Sequence, residues 1–198
     1  MSDPAALLTI DALTCERGDR LLFEGLSFSV AAGEVVQIEG ANGSGKTTLL
    51  RCLVGLFTDH AGAVVRSPDT DCLYLGHKPA VRSALTVAEN LSWLLQLSET
   101  ACSPEEIAGA LAETGLAGYE DTFAGELSAG QTKRIALARI FLPTPTVWLL
   151  DEPFAAIDQA GVARLSDRID RHVAAGGAVV LTTHQDAPLT ADVRRVTL

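Results

Sequence analysis

Gly40-Ala41-Asn42-Gly43-Ser44-Gly45-Lys46-Thr47 fits the pattern GxxxxGK[ST]. It constrains the fold more than any other stretch, because such a loop needs a strand before it and a helix after it. Both are legible. Residues 35–38 form a short apolar run of strand character, and between 46 and 56 Leu49, Leu50, Leu53, Val54 and Leu56 recur at helical spacing. Glycines let consecutive backbone N–H groups turn inward around an anion, and the helix N-terminus adds its positive dipole end. The spacing therefore predicts a phosphate-binding loop, with Lys46 on the β and γ phosphates of a nucleotide and the Thr47 hydroxyl on Mg²⁺; the site is expected to run through Thr48. A glycine-rich turn with an exposed lysine is the bland reading, and it leaves the strand and helix context unexplained.

Short apolar runs at 7–13, 26–30, 62–66 and 72–75 are expected strands, separated by turn signals such as Gly18-Asp19 and Ala32-Gly33. The middle third changes texture. Residues 86–97 are helical in pattern, and Ser103-Pro104-Glu105-Glu106 sets a cap, a first-turn proline and a glutamate at the third position. A third helix is expected from about 130 to 142, stopping before Pro143 and Pro145. Residues 147–150 and 178–181 are unbroken apolar runs of the kind buried parallel strands require, with a crossover helix expected at 161–175. The expected organisation is one domain over 1–198, with a core at about 1–77 and 146–198 and an inserted helical subdomain at about 78–145.

At 198 residues and 47% apolar, the chain buries one substantial core. Its net charge of −10 argues against an open nucleic-acid or anionic-lipid surface. Cys15, Cys52, Cys72 and Cys102 make no CxxC pair, which fits a reducing compartment and no zinc site. There is no signal-peptide pattern and no stretch of 18 apolar residues, so any membrane role is expected to be peripheral, without direct insertion.

The run 147–150 ends in Asp151-Glu152, and ligands of open parallel sheets bind outside the carboxyl ends of strands. Asp151 is the expected partner of the Mg²⁺ sphere and Glu152 the expected general base for the attacking water. His184 follows the run 178–181 on the same sheet edge and can hydrogen-bond the γ phosphate. Ser128, at the start of the third helix, and the N–H groups of Ala129 and Gly130 offer a second anion site.

These segments, taken in order with the Asp158 loop, resemble the ATP-binding subunits of ABC transporters over essentially the whole chain. The resemblance implies an α/β P-loop fold of the ABC ATPase type: a mixed sheet core, an N-terminal antiparallel β part and an inserted helical subdomain. It makes Leu127-Ser128-Ala129-Gly130-Gln131 the signature motif, with Ala129 where glycine is usual, and places Asp158 in a loop crossing a homodimer interface. ATP held by one copy would be closed over by the signature of the other, head to tail. His77 stands where a glutamine is expected, and Arg17 where an aromatic residue commonly stacks on adenine; a guanidinium plane also stacks on a base.

The wording around Cys15-Glu16-Arg17, Gly76-His77-Lys78-Pro79 and Leu181-Thr182-Thr183-His184-Gln185 is similar to the cytochrome c maturation ATPases, the haem exporter branch of that family. That closer resemblance implies a place at the cytoplasmic face of the bacterial inner membrane, integral partners CcmB and CcmC, and ATP-driven haem export or release of the haem-loaded chaperone CcmE. His60, His77, His172 and His184 form no axial-ligand motif of their own. Other readings compete: a small P-loop kinase, a soluble ABC ATPase acting on DNA or ribosomes, and the ATPase of another small ABC transporter. The signature helix and Asp151-Glu152-Pro153 count against the first, and the acidic chain without coiled-coil inserts counts against the second.

Overall fold

The computed structural model describes residues 6–18, 20–98, 100–184 and 186–198. Its elements are β1 (Ala6–Arg17), β2 (Arg20–Ala31), β3 (Val35–Glu39), α1 (Lys46–Val54), β4 (Ala61–Arg66), β5 (Cys72–Leu75), α2 (Val87–Gln96), α3 (Pro104–Glu113), α4 (Ala129–Leu137), β6 (Val147–Asp151), α5 (Gln159–Ala174), β7 (Ala178–Thr182) and β8 (Val193–Thr197). The chain divides into two compact units. One comprises Met1–Gly76, Pro145–Pro153 and Ile169–Leu198; the other comprises His77–Thr144 and Phe154–Arg168.

The first unit holds both sheets. β1 pairs antiparallel with β2 on one edge and β4 on the other. A bulge in β1, where Ala12 takes φ 47°, brings its carbonyl to the position a side chain at Gly62 would occupy. Only glycine fits there. The second sheet runs β5-β6-β7-β3-β8 with every pair parallel. All five residues of β6 and of β7 are buried, which is why both read as continuous apolar runs. Ile38, Leu49, Leu50, Leu53, Leu149 and Val180 share one core with Leu8 and Leu13 of the antiparallel sheet. Each such side chain contributes about 1.5–3 kcal/mol by leaving water.

The second unit is helical. Thr86 with Glu89, Ser103 with Glu106 and Ser128 with Gln131 form capping boxes at α2, α3 and α4. Val87, Leu91, Ile107, Leu111, Leu116 and Ile135 make its core. Asn90, fully buried, accepts from Arg82 N through Oδ1, while Nδ2 lies within 3.1 Å of the carbonyls of Arg82, Leu85 and Thr86. One side chain thus ties down the backbone entering α2.

Two elements depart from the sequence expectation. The third helix is α-helical only to Leu137 and tightens to a 3₁₀ turn over Ala138–Phe141 as it approaches Pro143. β8 was not anticipated, because its exposed arginines leave no apolar run to read. The expected turn at Gly18-Asp19 falls partly on Asp19, outside the described residues.

Candidate functional site

The phosphate loop lies between β3 and α1 as its pattern requires. Gly40, Gly43 and Gly45 take φ of 150°, 78° and 107°. At Gly40 a Cβ would stand 2.5 Å from Ser44 Oγ, and at Gly45 it would stand 3.0 Å from Leu22 Cβ, so the loop is drawn too tight for side chains at either position. Ser44 Oγ is buried with no hydrogen-bond partner among the described residues. Lys46 curls back and donates from Nζ to the carbonyls of Gly40 (2.7 Å) and Ala41 (3.2 Å). α1 starts at Gly45 with no side-chain cap. A glycine-lined helix N-terminus, a lysine and an orphaned hydroxyl within one loop match the chemistry of a polyphosphate.

The acids stand at the carboxyl ends of adjacent strands. Asp151, 4% exposed, accepts from Thr47 Oγ1 at Oδ2 and from Thr182 Oγ1 at Oδ1, each at 2.8 Å. Thr182 also accepts from Glu152 N through its hydroxyl (3.0 Å) and its carbonyl (3.2 Å). The parallel register that sets Asp151 opposite Thr182 makes this possible. Thr182 was given no role of its own in the sequence, where it stood just past the run 178–181 in the segment Leu181–Gln185; a hydroxyl-bearing residue closing the strand beside the acidic strand was the available signal. Glu152 takes φ 53°, a left-handed conformation uncommon for a side-chain-bearing residue and concentrated at functional sites. It turns the carboxylate toward His184, whose Nε2 lies 3.3 Å from Glu152 Oε1.

The Thr47 hydroxyl and the Asp151 carboxylate are hard oxygen donors already together, which suits Mg²⁺. Among the described residues no group of three or more His, Cys, Asp and Glu can hold a metal.

The other expected residues belong to the helical unit, except Arg17. Ser128 caps α4 by accepting from Gln131 N, and Gln131 Oε1 accepts from Ser128 N. Behind this turn, Lys133 Nζ donates to Ala155 O at 2.8 Å and Arg134 pairs with Asp158 at 2.7 Å. Asp158 also accepts from Gly161 N, capping α5; this bond and the Arg134 guanidinium hold its carboxyl below the usual range. Ala156 takes φ 60°, and a Cβ on Gly130 would lie 3.0 Å from its carbonyl. The signature turn and the Asp158 loop are therefore one packed piece. His77 lies in the same unit, at its first residue. Arg17 is exposed at the end of β1. Burial pushes the Cys52 thiol on α1 up to about 12, which keeps it protonated and unreactive.

The family model "ABC transporter" matches residues 23–155. Among curated proteins, the chain is 47% identical to "Cytochrome c biogenesis ATP-binding export protein CcmA" of Pseudomonas syringae pv. tomato, over 93% of this chain and 91% of the relative. It is 46% identical to the protein of that name from Escherichia coli strain K12, over 97% and 96%. Two solved structures share the fold: an ATP-binding subunit of an ABC transporter (TM-score 0.78, 25% identity, 90% of this chain and 79% of that one) and a dimeric ATP-binding cassette in a post-hydrolysis state bound to ADP and Pi (TM-score 0.76, 23% identity, 90% and 88%). With the family model over residues 23–155 and curated relatives at 46–47% identity along nearly the whole chain, this chain belongs to the ABC transporter family, and within it to the family of cytochrome c biogenesis ATP-binding export proteins.

Proposed function

We propose that this chain binds MgATP at residues 40–48 and hydrolyses it, as the ATP-driven subunit of a membrane complex for cytochrome c biogenesis. The observation that carries the reading is the continuous polar chain Thr47–Asp151–Thr182–Glu152–His184 at the mouth of the phosphate loop. The loop N–H groups and Lys46 bind and orient the polyphosphate. Thr47 and Asp151 would hold Mg²⁺, which when bound neutralises charge on the β and γ oxygens. Thr182 fixes Asp151 from its other oxygen and holds the Glu152 backbone, so that the Glu152 carboxylate takes a proton from the attacking water. His184, beside Glu152, is assigned to the γ phosphate.

Ser128, Ala129, Gly130 and Gln131 of one copy, with Asp158, are assigned to the nucleotide held by a second copy, giving a head-to-tail homodimer. His77 is assigned to a water or Mg²⁺ contact and Arg17 to the adenine face. The two compact units are read as the core and helical subdomain of a single ATPase domain. Integral membrane partners, CcmB and CcmC by family, and a peripheral place at the cytoplasmic face of the inner membrane complete the proposal; the cargo step is haem export or release of haem-loaded CcmE. No helix among the described residues is long and apolar enough to cross a membrane, so such partners would supply the membrane-spanning segments.

The test is phosphate release from ATP by the chain with its membrane partners. Wild type is expected to turn over, Lys46→Ala to lose both binding and turnover, and His77→Gln to keep more activity than His77→Ala. Phosphate transfer to a metabolite instead of water, or unchanged ATP affinity in Lys46→Ala, would overturn the assignment.

A further inference from the structure

The phosphate loop has a cation beside Gly43 that none of the assignments above uses. Arg20 opens β2, and a Cβ built on Gly43 would lie 3.5 Å from its Nη1 and 4.0 Å from its Nη2. The position is set by packing: two and three residues further along, Leu22 and Phe23 press against Gly45, at 3.0 and 3.2 Å from where its Cβ would stand. The guanidinium is exposed, and no hydrogen bond or ion pair holds it among the described residues.

A second observation is independent of that proximity. Arg17 of β1 is the direct cross-strand partner of Arg20. Residues opposite one another in an antiparallel pair share a face, and like charges there repel. In a chain with 25 acidic and 15 basic residues, two facing arginines at one hairpin end stand out. An anion between Arg20 and the loop offsets the repulsion and gains charge-assisted hydrogen bonds, for which the planar guanidinium fork is well matched to phosphate.

Building on the reading that the loop holds a nucleotide, we propose that Arg20 is a nucleotide-binding residue that contacts the polyphosphate beside Gly43, in addition to Lys46. The loop backbone cradles the α and β phosphates. The contact is therefore shared by ATP and ADP and is absent for adenosine.

Equilibrium binding of ATP, ADP and adenosine to the full chain tests this, using wild type, Arg20→Ala, Arg20→Lys and Lys46→Ala at two salt concentrations. Arg20→Ala should weaken ATP and ADP by about three- to tenfold, the range of an exposed charge-assisted contact. It should flatten the salt dependence without lowering the nucleotide-free melting midpoint, while Arg20→Lys recovers part of the loss. Wild-type affinities in Arg20→Ala beside a loss in Lys46→Ala would overturn the inference and leave the nucleotide site standing. A loss that is equal for adenosine would put the guanidinium on the base and overturn the phosphate contact. Should Lys46→Ala also bind as wild type, the proposed function fails, and this inference with it.

Discussion

Two helix N-termini in this molecule face anions in the proposed mechanism, and they are finished in opposite ways. α1 begins at Gly45 with no side-chain cap, in a loop with three glycines of positive φ and a buried serine hydroxyl that finds no partner among the described residues. α4 begins at Ser128 and closes on itself, with Ser128 and Gln131 satisfying each other's backbone N–H groups. An open, glycine-lined terminus is a cradle finished by its ligand. A self-capped terminus is stable alone and offers only its remaining N–H groups and its dipole to something brought from outside. In the proposed mechanism the first terminus binds phosphate within its own chain, whereas the second acts on a nucleotide held by another copy.

The sharpest way to break this contrast is to stop the chemistry while leaving the cradle intact. Glu152→Gln should lower ATP turnover by about 10²–10⁴-fold, the usual weight of a general base, with ATP affinity retained in a binding assay. Near-normal turnover would remove Glu152 from that role. Next in size is Gly45→Ala, which forces a side chain into φ 107° and against Leu22 and Phe23. It should cost about 1–3 kcal/mol in denaturant unfolding and weaken ADP binding at the same time.

Ser128→Ala is the counterpart at α4. It should cost about 1 kcal/mol of stability through the lost cap and weaken ATP-driven association, yet leave ADP binding by the single chain untouched. A drop in ADP affinity would erase the distinction between the two termini. The smallest effect concerns an acid outside both sites. Burial of Asp170 raises its pKa, but bonds from Thr190 and Ala191 outweigh that and leave it below the usual range. A depressed folded pKa gives stability that is present above the unfolded value of about 3.9 and is lost as pH falls through the folded value. Asp170→Asn should therefore lower stability by less than about 1 kcal/mol near neutral pH and narrow its gap to wild type below pH 4.

The phosphate loop, the buried strands β6 and β7 and the helix caps at Ser103 and Ser128 were legible because each depends on local spacing alone. Thr182 was not, since its role arises from register across β6 and β7, which no linear pattern encodes. The same holds for Lys133 and Arg134, which bind the segment 155–158 more than twenty residues away. β8 escaped notice because an edge strand with exposed arginines lacks the apolar signal of a buried one. Asn90 carries no local signal of its role, and only the backbone folded over it shows why it is there.

The central claim is that a nucleotide is enclosed by the loop of one copy and the signature helix of another. Sedimentation velocity of Glu152→Gln with saturating MgATP tests it most directly. The account expects a species of twice the 20.8 kDa chain mass that returns to one chain with ADP and fails to form when Ser128→Arg is added. A single-chain mass at saturating ATP, or a dimer indifferent to both nucleotide and Ser128, would contradict it.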